Sequence, residues 1–223
     1  MDHALRTHKN ISNVGTVVID EIHMVADHSR GHCIDGLIAR LKHHCKHFST
    51  KTQWIYLSAT VGNPNHLASD LNAIPLEFNT RTIPLHRHIA FSLPGQKYQM
   101  INELVQREFM NKSSKGYRGQ TIIFTNSRQR CHDISNKLTS SSAPYHAGLD
   151  HHQRKNVEQR FSEGKIASVV TTAALSAGVD FPASQVVFDS LAMGTNWLNT
   201  QEFQQMQGRA GSPSYHDTGL IYL

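Results

Sequence analysis

Short, nearly continuous apolar runs recur along this chain, and they restrict the folds open to it more than any other feature. They are Thr16–Ile19, Trp54–Leu57, Thr121–Phe124, Ala167–Val170, Gln185–Phe188 and Leu220–Leu223. Each is rich in β-branched residues and bounded by polar or turn residues, which is how a strand buried on both faces of a parallel sheet reads. Between the runs lie stripes at helical spacing: Ile34, Leu37, Ile38 and Leu41; Ile101, Leu104, Val105 and Phe109; Cys131, Ile134 and Leu138; Val157 and Phe161. Alternation of this kind predicts an α/β protein with crossover helices. The segment Asn79 to Gly95 holds Pro84 and Pro94, several charges and no period. It reads as a link, which places two α/β units at 1–84 and 85–223. Asn111 to Gly119 reads as a polar, basic loop ahead of the second unit's first strand.

Composition narrows the setting. No stretch of about 18 apolar residues is present, so neither a membrane span nor a membrane partner is expected. The start, Met1-Asp2-His3-Ala4-Leu5-Arg6, lacks the apolar core of a signal peptide. Cys33, Cys45 and Cys131 are odd in number and lack C-x-x-C spacing, which suits a reducing cytoplasm. The net charge of +5 is compatible with a polyanionic partner. His43, His44, Cys45 and His47 invite a metal reading, but Cys45 continues an apolar helix stripe and no second Cys/His pair completes a zinc site.

Several strand ends carry chemistry. Asp20-Glu21 ends the first run, and ligands of open α/β sheets bind beyond the carboxyl ends of strands. An Asp there can hold magnesium and the adjacent Glu can deprotonate an attacking water. Ser58-Ala59-Thr60 ends the second run, where Ser58 and Thr60 are placed to hydrogen-bond His23 or the acid pair. Thr125-Asn126-Ser127-Arg128 follows the third and offers hydroxyls, amides and a cation at a helix start, a ready phosphate site. Thr171 to Asp180 repeats that arrangement with small residues that permit close backbone approach. Gly208-Arg209-Ala210-Gly211, after Gln205, supplies a cation able to reach a phosphate.

Taken in order, these segments resemble the superfamily 2 DEAD/DEAH-box helicases, in particular the archaeal Ski-like branch. Asp20-Glu21-Ile22-His23 is similar to motif II and Ser58-Ala59-Thr60 to motif III. Ile123 to Arg128 is similar to motif IV, and Tyr145-His146-Ala147-Gly148-Leu149 to the element that follows it. Thr172 to Pro182 is similar to motif V, and Gln205 to Gly211 to motif VI. The resemblance covers nearly the whole chain. It implies two RecA-like parallel-sheet domains, the first incomplete at its N-terminal side, using ATP and Mg2+ to separate strands, with 3′ to 5′ translocation usual in the branch. By that likeness Asp20 holds magnesium, Glu21 activates water, and Gln205 and Arg209 approach the γ-phosphate. His23, Ser58 and Thr60 couple hydrolysis to motion. Gly178, Asp180 and Gly208 lie near the nucleotide. Thr125, Ser127, Arg128 and Thr172 lie near the backbone of single-stranded or partly duplex DNA or RNA. A cytoplasmic monomer is expected.

The sequence also departs from that pattern. No Gly-x-x-x-x-Gly-Lys-[Ser/Thr] phosphate loop occurs, so N-terminal and C-terminal helicase segments are expected to be missing and this stretch alone to be inactive. The alternative is a non-catalytic nucleic-acid-binding remnant of a helicase. The position that closes motif VI with a second arginine in the family is Ser212. Serine cannot neutralise charge developing on a phosphate as an arginine does. In a whole enzyme carrying this chain, Ser212→Arg is expected to raise single-turnover ATP hydrolysis by about tenfold or more. Equal rates would remove position 212 from the mechanism.

Overall fold

The strand Thr121–Phe124 (β4) is buried along its whole length, because a strand lies on each side of it and a layer of helices on each face. The computed structural model describes residues 14–26, 31–47, 51–58, 61–78, 80–172, 181–194 and 196–223. Contacts divide the chain into two compact units, Met1–Leu76 and Glu77–Leu223.

In the first unit Thr16–Ile19 (β1) pairs in parallel with Gln53–Tyr56 (β2), with Thr16 opposite Gln53 and Ile19 opposite Tyr56. Helix α1, Gly31–His47, turns Ile38, Leu41 and Cys45 into the interior. The His-Cys cluster is therefore a helix surface with one core cysteine. His43 and His47 stack one turn apart, with ring centroids 4.2 Å apart, and among the described residues no group of three His, Cys, Asp or Glu could hold a metal. Helix α2, Pro64–Leu71, starts on an Asn63 side-chain cap and ends at Asn72 in the left-handed conformation.

The second unit is a six-stranded sheet of order β3-β10-β7-β4-β6-β5, and every pairing is parallel. The outer members are Leu85–His88 (β3) and Ser142–Tyr145 (β5); the inner ones are Ser168–Thr171 (β6), Gln185–Phe188 (β7) and Gly219–Tyr222 (β10). Strand alternation sorts the core into two layers. Ile122, Phe124, Val169, Val186 and Phe188 meet Val157 and Phe161 of helix α5 (His151–Ser162) and Met206 of helix α6 (Thr200–Gln207). Ile123, Val170 and Val187 meet Ile101, Leu104 and Val105 of helix α3 (Lys97–Met110) and Cys131 and Ile134 of helix α4 (Arg128–Lys137). Among the described residues no helix is long and apolar enough to cross a membrane.

Three strand features differ from the sequence expectation. The linker segment contains β3, whose side chains after Leu85 are exposed. An edge strand needs no apolar outer face, so it leaves no apolar run. Strand β5 carries Pro144, tolerated because β5 pairs only with β6. A short antiparallel hairpin, Ala192–Met193 (β8) with Asn196–Trp197 (β9), follows β7. The division also falls before the expected 84/85 boundary. Ile83 is buried, and Arg81 donates to the carbonyls of Gly208 at 3.2 Å and Ala210 at 2.6 Å, so Arg81 and Ile83 belong with the second sheet.

The Gly208–Gly211 turn is fixed hard against that sheet. Ala210 bridges Ala183, and the Gly211 amide donates to the Ala183 carbonyl at 2.8 Å. Gly211 has φ +76°, and an added Cβ would lie 2.5 Å from Ile83 Cδ1 and 3.0 Å from Gly219 backbone. Both the conformation and the space demand glycine. Gly211→Ala is expected to destabilise the protein by about 1–3 kcal/mol. Equilibrium denaturation of the two proteins measures it, and an unchanged midpoint would show that the turn yields freely.

Candidate nucleotide and nucleic-acid sites

The parallel sheets give each unit a carboxyl edge, where strands end, and an amino edge, where they begin. In the first unit Asp20 and Glu21 stand where β1 ends. The Ile22 amide donates to Leu57 O and the Leu57 amide to Ile19 O, each at 2.9 Å, so the ends of β1 and β2 are tied together. Asp20 is exposed and its Oδ1 accepts the Glu21 amide at 2.9 Å. Glu21 holds φ +52°, a left-handed conformation that costs a non-glycine residue on the order of 1 kcal/mol. His23 Nδ1 lies 2.7 Å from Ser58 Oγ and 3.3 Å from Glu21 Oε2. Ser58 holds the better-placed bond, so Glu21 Oε2 is buried without a hydrogen-bond partner. The sequence expectation that Ser58 meets His23 is met. Thr60 lies outside the described residues.

In the second unit the carboxyl edge gathers the turn after β4, the end of β6 and the end of β7. Ser127 is exposed and caps α4, its Oγ accepting the Arg130 amide at 3.2 Å. Arg128 is exposed beside it, and its guanidinium passes over Gly148, where an added Cβ would sit 3.2 Å from Nη1. Thr172 is half-buried at the end of β6. Thr125 differs from the expectation of a direct ligand contact. It is fully buried, its amide donates to Thr171 O at 2.9 Å, and its hydroxyl donates to Asp189 Oδ2 at 2.7 Å.

Asp189, just past β7, is a residue that the sequence reading passed over, although its position at a strand's carboxyl end is the signal that singled out Asp20. Its side chain is 0% exposed and accepts from Arg130 Nε at 2.7 Å and Nη2 at 3.1 Å, with Lys97 Nζ at 3.0 Å. Burial works against its ionisation, but the bonds from Arg130, Thr125 and Lys97 outweigh it and bring the carboxyl down to about 2. Nearby, His146 is buried with its Nε2 2.9 Å from His132 Nε2. The Gly148 amide donates to His146 Nδ1 at 3.2 Å, so in the neutral ring Nε2 carries the hydrogen and donates to His132. Burial, then His132 and Arg128, hold the His146 pKa below its ordinary value.

The amino edge carries the other set. Gln205 is half-buried on α6, Gly208 is exposed at its C-terminus, and Arg209 is half-buried. Gln207 is buried and accepts from Arg87 Nε at 2.9 Å. Gly178 and Asp180 lie outside the described residues. The basic loop also lies at this edge: Lys115 donates to the Pro213 carbonyl, and Arg118 stacks on Phe109 at 5.0 Å. Lys112, Lys115 and Arg118 therefore do not join Arg128 and Arg130 in one patch.

The chain belongs to the DEAD/DEAH-box helicases. The family model for the DEAD/DEAH box helicase matches residues 1–67 and that for the helicase conserved C-terminal domain residues 96–214. The probable ATP-dependent helicase MJ1401 of Methanocaldococcus jannaschii is 50% identical over all of this chain, which spans 28% of its length. The ATP-dependent DNA helicase Hel308 of Thermoplasma volcanium is 30% identical over 95% of the chain, which spans 36% of that protein. In fold, the Mycobacterium smegmatis helicase Lhr bound to ssDNA and AMP-PNP superposes with a TM-score of 0.69 at 22% identity, over 98% of this chain and 30% of that one. The units are thus RecA-like parallel-sheet domains.

Proposed function

We propose that this chain is part of an ATP-dependent helicase that couples ATP hydrolysis to separation of nucleic-acid strands in the cytoplasm. One observation carries the reading: Glu21, on a strained turn beside exposed Asp20, holds Oε2 3.3 Å from His23 Nδ1 and without a hydrogen bond. A carboxylate oxygen that accepts no hydrogen bond can take a proton from a water. Magnesium usually binds through one or two carboxylates together with substrate phosphates and waters, so Asp20 fits as its protein ligand. When bound, the ion would supply neutralising charge at the phosphates. Asp20 binds, Glu21 takes the proton of the attacking water, and His23 fixes the Glu21 side of the turn through Ser58. Gln205, Gly208 and Arg209 of the second unit are assigned to nucleotide contact. Family likeness supports that assignment, as it does the roles of Thr60, Gly178 and Asp180. The protein is taken to act as a monomer.

Glu21→Gln keeps size and polarity but removes the base. In the whole protein it is expected to lower ATP turnover by about a hundredfold or more while sparing ATP binding. Turnover at the original rate would assign the base elsewhere.

The carboxyl edge of the second unit is the nucleic-acid side of this reading. Ser127 and Arg128 face solvent there with the start of α4 behind them, and Thr172 stands at the neighbouring strand end. Contacts of this kind read phosphates and not bases, so binding should be indifferent to sequence and fall with salt. Arg128→Ala is expected to weaken binding to unrelated single strands alike and to reduce the slope of log K against log salt by roughly 0.7. An unaltered slope would place the phosphate contacts on other residues.

A further inference from the structure

Strand β7 ends on a charge where its neighbours end on neutral residues. Phe124 of β4 is in register with Phe188 of β7 and with Thr171 of β6, so the next residues along are Thr125, Asp189 and Thr172. Two of these are threonines. Asp189, the third, is a carboxylate with no exposure at all, and burying such a group is unfavourable unless it is paired. It bonds to side chains from three separate places: Thr125 just before α4, Arg130 within its first turn, and Lys97, the first residue of α3.

The positions of the first two matter most. The phosphate-facing turn runs from Thr125 to Arg128, and Asp189 grips it at Thr125 and again just beyond at Arg130, in each case with Oδ2 at 2.7 Å. Between those grips, the Ser127 hydroxyl accepts from the Arg130 amide, and the Asn126 carbonyl accepts from the Gly194 amide at 3.0 Å. Arg128, which makes neither grip, is left pointing outward. The second guanidinium bond, to Oδ1, fixes the plane of Arg130 as a forked pair does. Lys97 and Arg130 are also both engaged by the one carboxylate, so Arg128 is the exposed cation of the turn.

We propose that Asp189 is a positioning residue for nucleic-acid binding: by holding Thr125 and Arg130 it fixes the turn from which Ser127 and Arg128 meet the phosphate backbone. The proposal rests on the reading of that turn as a nucleic-acid contact. Asp189 itself touches no nucleic acid. Its effect passes through Arg128, and that makes it separable from a general loss of stability.

The test is a double-mutant cycle in the whole protein, read by fluorescence anisotropy on oligothymidine and oligouridine single strands. Asp189→Asn is expected to weaken binding by about tenfold, and to add less than about twofold once Arg128→Ala is present, because residues acting as one unit are not additive. The KM for ATP is expected to stay within about twofold, since the loss is confined to one ligand. Thr125→Val removes one grip while leaving both charge pairs, so it decides the matter if Asp189→Asn does not fold. It is expected to show a loss of the same kind and the same non-additivity. Undiminished binding by the folded variants, or losses that simply add to that of Arg128→Ala, would overturn the proposal. Normal binding by Arg128→Ala alone would instead sink the reading of the turn, and the proposal with it.

Discussion

Everything placed around the second sheet depends on the parallel register of its three central strands. Because β6, β4 and β7 run the same way and in step, all their ends fall along one line. A parallel sheet satisfies its backbone internally and puts irregular chain only beyond strand ends. The residues that leave the sheet at that line are therefore neighbours in space though far apart in sequence. Thr125, Thr172 and Asp189 are brought together by this and by nothing local. The same logic at the amino edge sets Ala183 against Ala210, so Gly208 and Arg209 are fixed by where β7 begins.

This explains which parts of the molecule were legible in the sequence. Inner strands are covered on both faces and must be apolar throughout, so Thr121–Phe124 and Gln185–Phe188 read with the observed bounds. Edge strands are under no such demand, and Leu-His-Arg-His in β3 and Ser-Ala-Pro-Tyr in β5 left no trace. Helix stripes survived because burial of Ile101, Leu104 and Val105, or of Cys131 and Ile134, imposes a period. In the site, Asp20, Glu21, His23 and Ser58 lie on two strand ends that a sequence can order but not pair. Asp189 escaped notice because its partners, Lys97, Thr125 and Arg130, are scattered along the chain. Thr125 shows the converse. A hydroxyl at a strand end reads as a ligand contact, yet burial turned it inward to a carboxylate.

The turn at Glu21 shows strain held in place by its surroundings. A left-handed glutamate on its own would relax, since the penalty has no local compensation beyond the Asp20 bond. Here Ile22 is buried and its amide bonds to Leu57 on the adjacent strand, while the Met24 amide bonds back to the Glu21 carbonyl at 2.9 Å. Chain on both sides is thus fixed, and the residue between has no freedom to swing out. One carboxylate oxygen is thereby held 3.3 Å from His23 Nδ1 with no hydrogen bond.

The segment from Thr172 to Ala183 joins the two edges of the second sheet. It leaves the carboxyl edge beside the candidate backbone contacts and returns at the amino edge beside Gly208 and Arg209. Its far end is held firmly. His216 is buried and donates from Nε2 to the Pro182 carbonyl at 2.9 Å, and its own amide donates to the Ser212 carbonyl at 2.8 Å. With the Gly211 amide on Ala183, the end of this segment and the arginine turn behave as one body. A displacement of the Gly208–Gly211 turn would therefore carry Pro182 and Ala183 with it. Ser212 takes part in that anchorage through its carbonyl, a role that any residue with a backbone fills.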